Sequence, residues 1–353
     1  SLKHYTLLHS GAIMPHIEGI PDEVAHVHGY FASVKNSSKV IKGVVRGKQK
    51  AKDCIRMAAV IAGGEEALKR RPNIFTTCNV ISPLEYMVEQ TEGLIEYAKL
   101  GLPVDIASEP QCGGTSPVTL AGTLAQQTAE ILGMIVIAQL VNPGTPVLMG
   151  TVAAAMDLRN GMIALGGVEA ALFNAAHAQI AQFYQIPSRG TGSNTESKML
   201  DMQAGYEKAI TLLLPALAGA NMIFYPGTMD HAVTVSLESL LIDHEICDMI
   251  DRLLRGISVT DETLALDIID KVGPGGHFLG QKHTMKHLKE EHFFPKLSDR
   301  DSYEVWTEKG KKSIQERARE EVKKILSEHQ PLPLDSAVEK ELLAIIQEVE
   351  ERR

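Results

Sequence analysis

Short runs rich in β-branched and aromatic residues alternate along the chain with longer stretches whose apolar positions recur every three or four residues. The short runs are YTLLHSG (5–11), KVIKGVVRG (39–47), NIFTTCNV (73–80), PVDIASEP (103–110), PVLMGTV (146–152), PSRGTG (187–192) and NMIFYPG (221–227). Residues 19–35, 48–71, 83–100, 116–141, 167–184, 199–218 and 232–255 carry helical spacing between and after them. IEYAKLG before LP and QLVNPG before TP are helices closed by glycine and followed by proline. Strand alternating with helix at this spacing predicts parallel βαβ units. A series of seven favours a closed (β/α)8 barrel of the TIM type over an open doubly wound sheet. No GxGxxG opens the first unit, as a dinucleotide fold would require. The eighth strand is not visible. The chain opens on Ser1 and enters the apolar run HYTLL at once, so the N-terminal part of the barrel is expected upstream of this sequence.

From residue 256 the pattern changes. GISVTDETLALDIIDKVGPGGHF mixes helix and loop, and EKGKKSIQERAREEVKKILSEH carries acids and bases at i,i+4 with few large apolar residues. That second segment predicts a solvated outer helix. A last amphipathic helix follows PLPLD. Residues 1–255 are therefore assigned to the barrel and 256–353 to a helical C-terminal extension packed on it.

Composition narrows the class without naming a function. The 353 residues are 44% hydrophobic and 22% charged, with a net charge of -9. This is an ordinary globular composition, and nothing in it marks a nucleic-acid binder. The most apolar run, ILGMIVIAQLV, falls short of the ~20 residues a membrane span needs, and no stretch resembles a secretory signal. Cys54, Cys78, Cys112 and Cys247 are widely spaced with no CxxC, so reduced thiols in a cytoplasmic protein are expected.

In a barrel of this type the active site is built by the loops that leave the carboxyl ends of the strands. The sequence thereby nominates His9 and Ser10, Arg46, Cys78 and Asn79, Ser108 and Glu109, QCGGTS (111–116), Arg189 to Glu196, and Tyr225 to His231. Glu109 closes the apolar strand VDIAS and is either a site group or a salt-bridge partner. Gly113, Gly114 and Thr115 read as a helix N-terminus, hence a ready anion site and the candidate cofactor contact, with plain turn chemistry as the alternative. In the polar loop GTGSNTESK (190–198), Asn194 and Thr195 either face the site or cap a helix starting near 196. His283 and His287 stand at i,i+4, but no Glu follows His283 as HExxH would require, and His26 and His28 have the wrong spacing for one helix face. No metal site is expected.

Several blocks carry a likeness to a known family. CGGTSPVTLAGTLAQQTAEIL (112–132), AQLVNPGTPVLMG (138–150), FYQIPSRGTGSNTESKMLDMQAGYEK (183–208), LPALAGANMI (214–223) and VGPGGHFLGQKHT (272–284) resemble the trimethylamine methyltransferase family across nearly the whole chain. The resemblance implies a (β/α)8 barrel that moves a methyl group from a methylated amine to the cobalt of a corrinoid carried by a separate small protein. Members are longer at the N-terminus. Archaeal trimethylamine enzymes carry pyrrolysine just before a Ser-Asp-Ala-Lys run, which Thr195-Glu196-Ser197-Lys198 resembles. Asn194 then occupies the pyrrolysine position. Asparagine cannot form the adduct with a tertiary amine, so the likeness points to members that demethylate quaternary amines such as glycine betaine.

A quaternary cation asks for aromatic faces and a carboxylate, since its nitrogen accepts and donates no hydrogen bond. Glu109 and Asn194 are the catalytic candidates, with Tyr225 as the aromatic face. Asn79, Arg189 and His231 are candidate donors to a substrate carboxylate. The implied partners are a methylated amine and the cognate corrinoid protein; homo-oligomers are common for barrels of this size, but no sequence mark of one is present. Three other readings remain open: a different methylated donor, a barrel that binds quaternary amines without catalysis, and a Schiff-base lyase. The last needs a lysine within a strand, and Lys39 and Lys42 are expected to precede or start theirs.

Overall fold

In the computed structural model, residues 10–11 and 19–352 are described. Seven parallel strands form one sheet in sequential order: β1 Ser10–Gly11, β2 Val40–Gly43, β3 Ile74–Val80, β4 Val104–Ser108, β5 Val147–Thr151, β6 Ser188–Thr191 and β7 Met222–Phe224. Each strand pairs with the next, for example Asn79 opposite Ala107 and Ser108 opposite Thr151. Helices α1 Ala25–Asn36, α2 Lys48–Ala62, α3 Val88–Lys99, α4 Leu120–Val141, α5 Val168–Phe183, α6 Met202–Leu217 and α7 Leu237–Leu254 alternate with them. This is the singly wound order of a barrel, without the reversal of a doubly wound sheet.

Side chains show that the sheet curls. In a flat sheet β2 and β7 would stand about 24 Å apart, five strand spacings. Yet the Lys42 ammonium on β2 lies 6.0 Å from the ring of Phe224 on β7, and Phe75 on β3 lies 6.3 Å from that ring. The strands therefore wrap around a lumen. The wall is not a closed eight-stranded barrel. Among the described residues no eighth strand joins β7 to β1, which corrects the expectation of closure. Most of the expected strand YTLLHSG, and with it His9, lies outside the described residues.

Alternation along each strand sorts the two faces. On β3, Ile74, Cys78 and Val80 enter the helix-facing core, while Thr77 and Asn79 reach Asp105 and Glu109 on the opposite face. Polar bolts tie the outer face to the helices. Glu130 of α4 accepts from Ser82, from Ser108 and from the Leu84 amide, and Gln127 bridges Thr151 to the buried His177. Burial lowers the His177 pKa to about 4, which leaves the ring neutral. Helix α4 is 22 residues long and apolar enough to cross a membrane by length and composition. Its Gln127 and Glu130 are nevertheless spent on the barrel wall.

Beyond residue 256, α8 Ile314–Glu328 and α9 Ser336–Glu351 are the longest helices. Helix α8, expected to be solvated, carries a stripe of Ile314, Ala318, Val322 and Ile325 that packs with Leu241 of α7 and Leu297. Helix α9 contributes Leu342, Ile345, Ile346 and Val349 to the same core cluster as the strands. His283 and His287 both turn to Glu262 at the surface.

Candidate active site

The lumen gathers charges from distant strands. Arg189 on β6 is 2% exposed; its Nε donates to Asp105 Oδ2 at 2.9 Å, its Nη1 donates to the Thr151 carbonyl at 2.9 Å, and its Nη2 also lies 2.9 Å from Asp105. Thr77 donates to the same Asp105 oxygen. The guanidinium sits 4.7 Å from the Phe224 ring, a cation–π contact. Arg189 is thus engaged on several sides by the protein itself.

Glu109 differs. It follows β4 immediately and is half-buried, and among the described residues its one hydrogen bond comes from Asn79 Nδ2 at 2.9 Å. Among the described residues it enters no ion pair. Burial raises its pKa, against the opposing pull of Arg189 and Lys42. The other side of Asn79, its buried Oδ1, has no hydrogen-bond partner. Tyr225 follows β7 at a left-handed φ of 84°, and its ring meets that of Phe224 edge-on with centroids 6.5 Å apart. Burial raises the Tyr225 pKa, and the group senses Arg189, Glu109 and Asp105. Asn79, Glu109, Arg189 and Tyr225 are therefore brought together as their strand ends predicted.

Lys42 belongs to this group and was missed. It was expected to precede or start its strand, but it is the third residue of β2 and reaches across the lumen to Phe224. Burial lowers its pKa, with Arg189 adding to the shift and Asp105 and Glu109 opposing it. A lysine at an inward position of an otherwise apolar strand was the available signal in KVIKGVV.

The polar loop 190–198 is buried yet almost fully accounted for. Lys208 of α6, 1% exposed, donates to the carbonyls of Ser193 and Thr228 and to Asp243 of α7. Glu207 accepts from the Thr195 hydroxyl at 2.6 Å and from the Glu196 amide at 3.0 Å. Helix α6 starts at Met202 with Asp201 as its cap, so Thr195 and Asn194 do not cap it. Asn194 and the Ser193 hydroxyl are the exceptions in this network among the described residues. Asn194 is the larger one. It is 1% exposed, its backbone amide donates to Thr211, and neither Oδ1 nor Nδ2 has a partner. Among the described residues no hydrogen bond ties it to Glu109.

His231 is not gathered into the lumen group either. Its Nδ1 lies 2.8 Å from the Ile163 carbonyl and 3.7 Å from Glu196, and its backbone amide donates to Thr195. Glu196 in turn accepts from the Gly166 amide. His231 thus clamps the loops that follow β5, β6 and β7. Gly113, Gly114 and Thr115 do not open a helix, since α4 begins at Leu120. They follow a short strand, Gln111–Cys112, that pairs with Ala154–Asp157. The amides of Gly114, Thr115 and Ser116 all donate to the Gln111 carbonyl. Cys78 and Ser108 point outward, to the Gln90 carbonyl and to Glu130, and burial raises the Cys78 thiol to about 12. Arg46 is exposed beyond β2.

With this geometry in place, comparison with known proteins decides the lineage. A profile described as trimethylamine methyltransferase (MTTB) matches residues 3–352. The chain belongs to the trimethylamine methyltransferase family. It is 40% identical to a glycine betaine methyltransferase of Desulfitobacterium hafniense (strain Y51), over 96% of this chain and 70% of that protein. It is 39% identical to a trimethylamine methyltransferase MttB from strain DSM 10664 / DCB-2 of the same species, over 95% of this chain and 67% of the relative. A trimethylamine methyltransferase MttB of Methanosarcina thermophila is 40% identical over 90% of this chain and 66% of its own length.

Proposed function

We propose that this member of the family holds a quaternary methylated amine in the barrel lumen and presents one of its methyl groups to the cobalt of a corrinoid carried by a separate protein. The observation that carries this reading is Glu109. It is a half-buried carboxylate that, among the described residues, enters no ion pair, in a lumen that also holds the rings of Phe224 and Tyr225. Carboxylate plus aromatic face is the recognition a quaternary ammonium requires. The relatives named for glycine betaine and for trimethylamine support a methylated amine as donor.

The docked corrinoid supplies a Co(I) nucleophile. The chain's residues do the rest by position. Glu109 and the rings hold the onium so that one methyl faces the mouth, and the C–N bond breaks with its electron pair left on nitrogen. The leaving group is then a neutral tertiary amine and needs no proton donor. Orientation is the main contribution the protein can make to such a displacement. Leu84, Val118, Leu158, Met162, Met199 and Val233, 44–76% exposed, sit on loops leaving the carboxyl ends of strands, and apolar side chains there suit a docked carrier. Asn194, at the position the resemblance gives to pyrrolysine, cannot form an adduct with a tertiary amine, which supports a quaternary donor.

The test is methylation of free Co(I) corrinoid by the full-length protein, followed spectrally, with glycine betaine, carnitine, proline betaine, choline and trimethylamine. Methylated corrinoid from a quaternary amine and none from trimethylamine is expected. A response to trimethylamine alone contradicts the reading, and silence from folded protein across the panel supports a non-catalytic binder.

A further inference from the structure

Lys42 is a charged group in the lumen that senses Asp105 and Glu109 but, among the described residues, sits in no salt bridge. Among the described residues its ammonium makes no ion pair or hydrogen bond, and its one recorded contact is the Phe224 ring at 6.0 Å. A half-buried ammonium left this way is costly, several kcal/mol in effective terms. The nearest alternative cation, Arg189, is already committed to Asp105 and Thr151. Lys42 on β2 and Glu109 at the end of β4 flank β3, whose Asn79 has its Oδ1 open. Opposite charges thus face one lumen without touching each other, since no ion pair joins them.

We infer that Lys42 binds the anionic tail of the substrate and makes the lumen selective for zwitterionic methylated amines over purely cationic ones. The inference rests on the reading of the Glu109 lumen as the substrate site. Glu109 takes the onium and Lys42 takes a carboxylate. An onium without an anion leaves Lys42 unpaired and gains nothing from it. Because burial lowers the Lys42 pKa, the tail's contribution should be lost, as pH rises, at a lower pH than an ordinary lysine would give.

The experiment is calorimetric binding of glycine betaine, choline and tetramethylammonium to the full-length protein and to Lys42→Met, Lys42→Arg and Glu109→Gln, with thermal unfolding of each. Lys42→Met should weaken glycine betaine at least about tenfold, the scale of one lost charge-assisted contact. Choline and tetramethylammonium should bind unchanged or more tightly, and Lys42→Arg should recover the betaine affinity. Equal weakening of all three ligands, or no change for betaine, overturns the inference. Glu109→Gln separates the two claims. Weakening of every onium by Glu109→Gln with betaine unaffected by Lys42→Met removes Lys42 alone. No effect of Glu109→Gln on any ligand, or no binding to the unaltered protein, removes the lumen as the site. Should Lys42→Met fail to fold, Lys42→Gln repeats the comparison.

Discussion

Two buried charged groups in this protein are built on opposite terms. Outside the sheet, Lys208 places its ammonium on two carbonyls and on Asp243, whose Oδ2 also accepts the Gly227 amide at 2.6 Å. Inside it, among the described residues, Lys42 makes no ion pair or hydrogen bond, Glu109 holds a single amide donor, and Asn79 Oδ1 has no partner. Buried polar groups are normally satisfied by the protein, because an unmade bond costs the desolvation of the group. The Lys208 ammonium is therefore spent on the fold and positions the loops after β6 and β7, although Asp243 Oδ1 beside it has no hydrogen-bond partner among the described residues. Under the proposed function, the substrate completes the lumen group.

The comparison breaks first at Lys208. Lys208→Met should cost about 3–5 kcal/mol of stability, since it strands Asp243 as a buried charge. Denaturant unfolding measures this, and a loss under 1 kcal/mol would show the group is not structural. Next comes Glu109→Gln, which should cut methyl transfer about a hundredfold, on the scale of a lost electrostatic contact at a reacting centre. Its melting temperature should not fall, because the carboxylate enters no ion pair among the described residues and glutamine keeps an oxygen for Asn79.

A smaller effect is expected from acid. The Glu109 pKa is raised, so the ionised form that attracts an onium exists above that raised value and disappears as pH falls through it. Affinity for tetramethylammonium should decline at a higher pH than an ordinary carboxylate would give, and Glu109→Gln should flatten the profile. The smallest change in stability belongs to Asn194→Ala. Its amide makes no side-chain bond to lose, so unfolding should move by no more than about 1 kcal/mol. A larger loss would mean the amide is paired after all.

Much of the wall was legible because parallel strands and their helices announce themselves locally. PVDIASEP and NIFTTCNV are short, apolar and bounded by glycine or proline, and both became strands within a residue or two of their expected bounds. Asn79, Glu109, Arg189 and Tyr225 could be nominated from strand ends alone. What could not be read was partnership. Arg189 is consumed by Asp105, 84 residues away, and nothing near PSRGTG announces it. The short strands at 111–112, 154–157 and 162–164 were invisible for a similar reason, since each is defined only by its pairing with the others. His231 was placed by its loop as a substrate donor, but its contacts lie with Ile163 and Glu196. Lys42 was overlooked because the limits of its strand were drawn too wide.

The most direct test of the open lumen is a pair of readings on one variant. Glycine betaine affinity and the unfolding midpoint of ligand-free protein are measured for the full-length protein and for Glu109→Gln. The account predicts that affinity falls by more than about tenfold, the scale of a lost charge-assisted contact, while the midpoint holds or rises. Unchanged affinity, or a loss of affinity matched by a falling midpoint, would contradict it and place Glu109 among the groups that merely hold the fold.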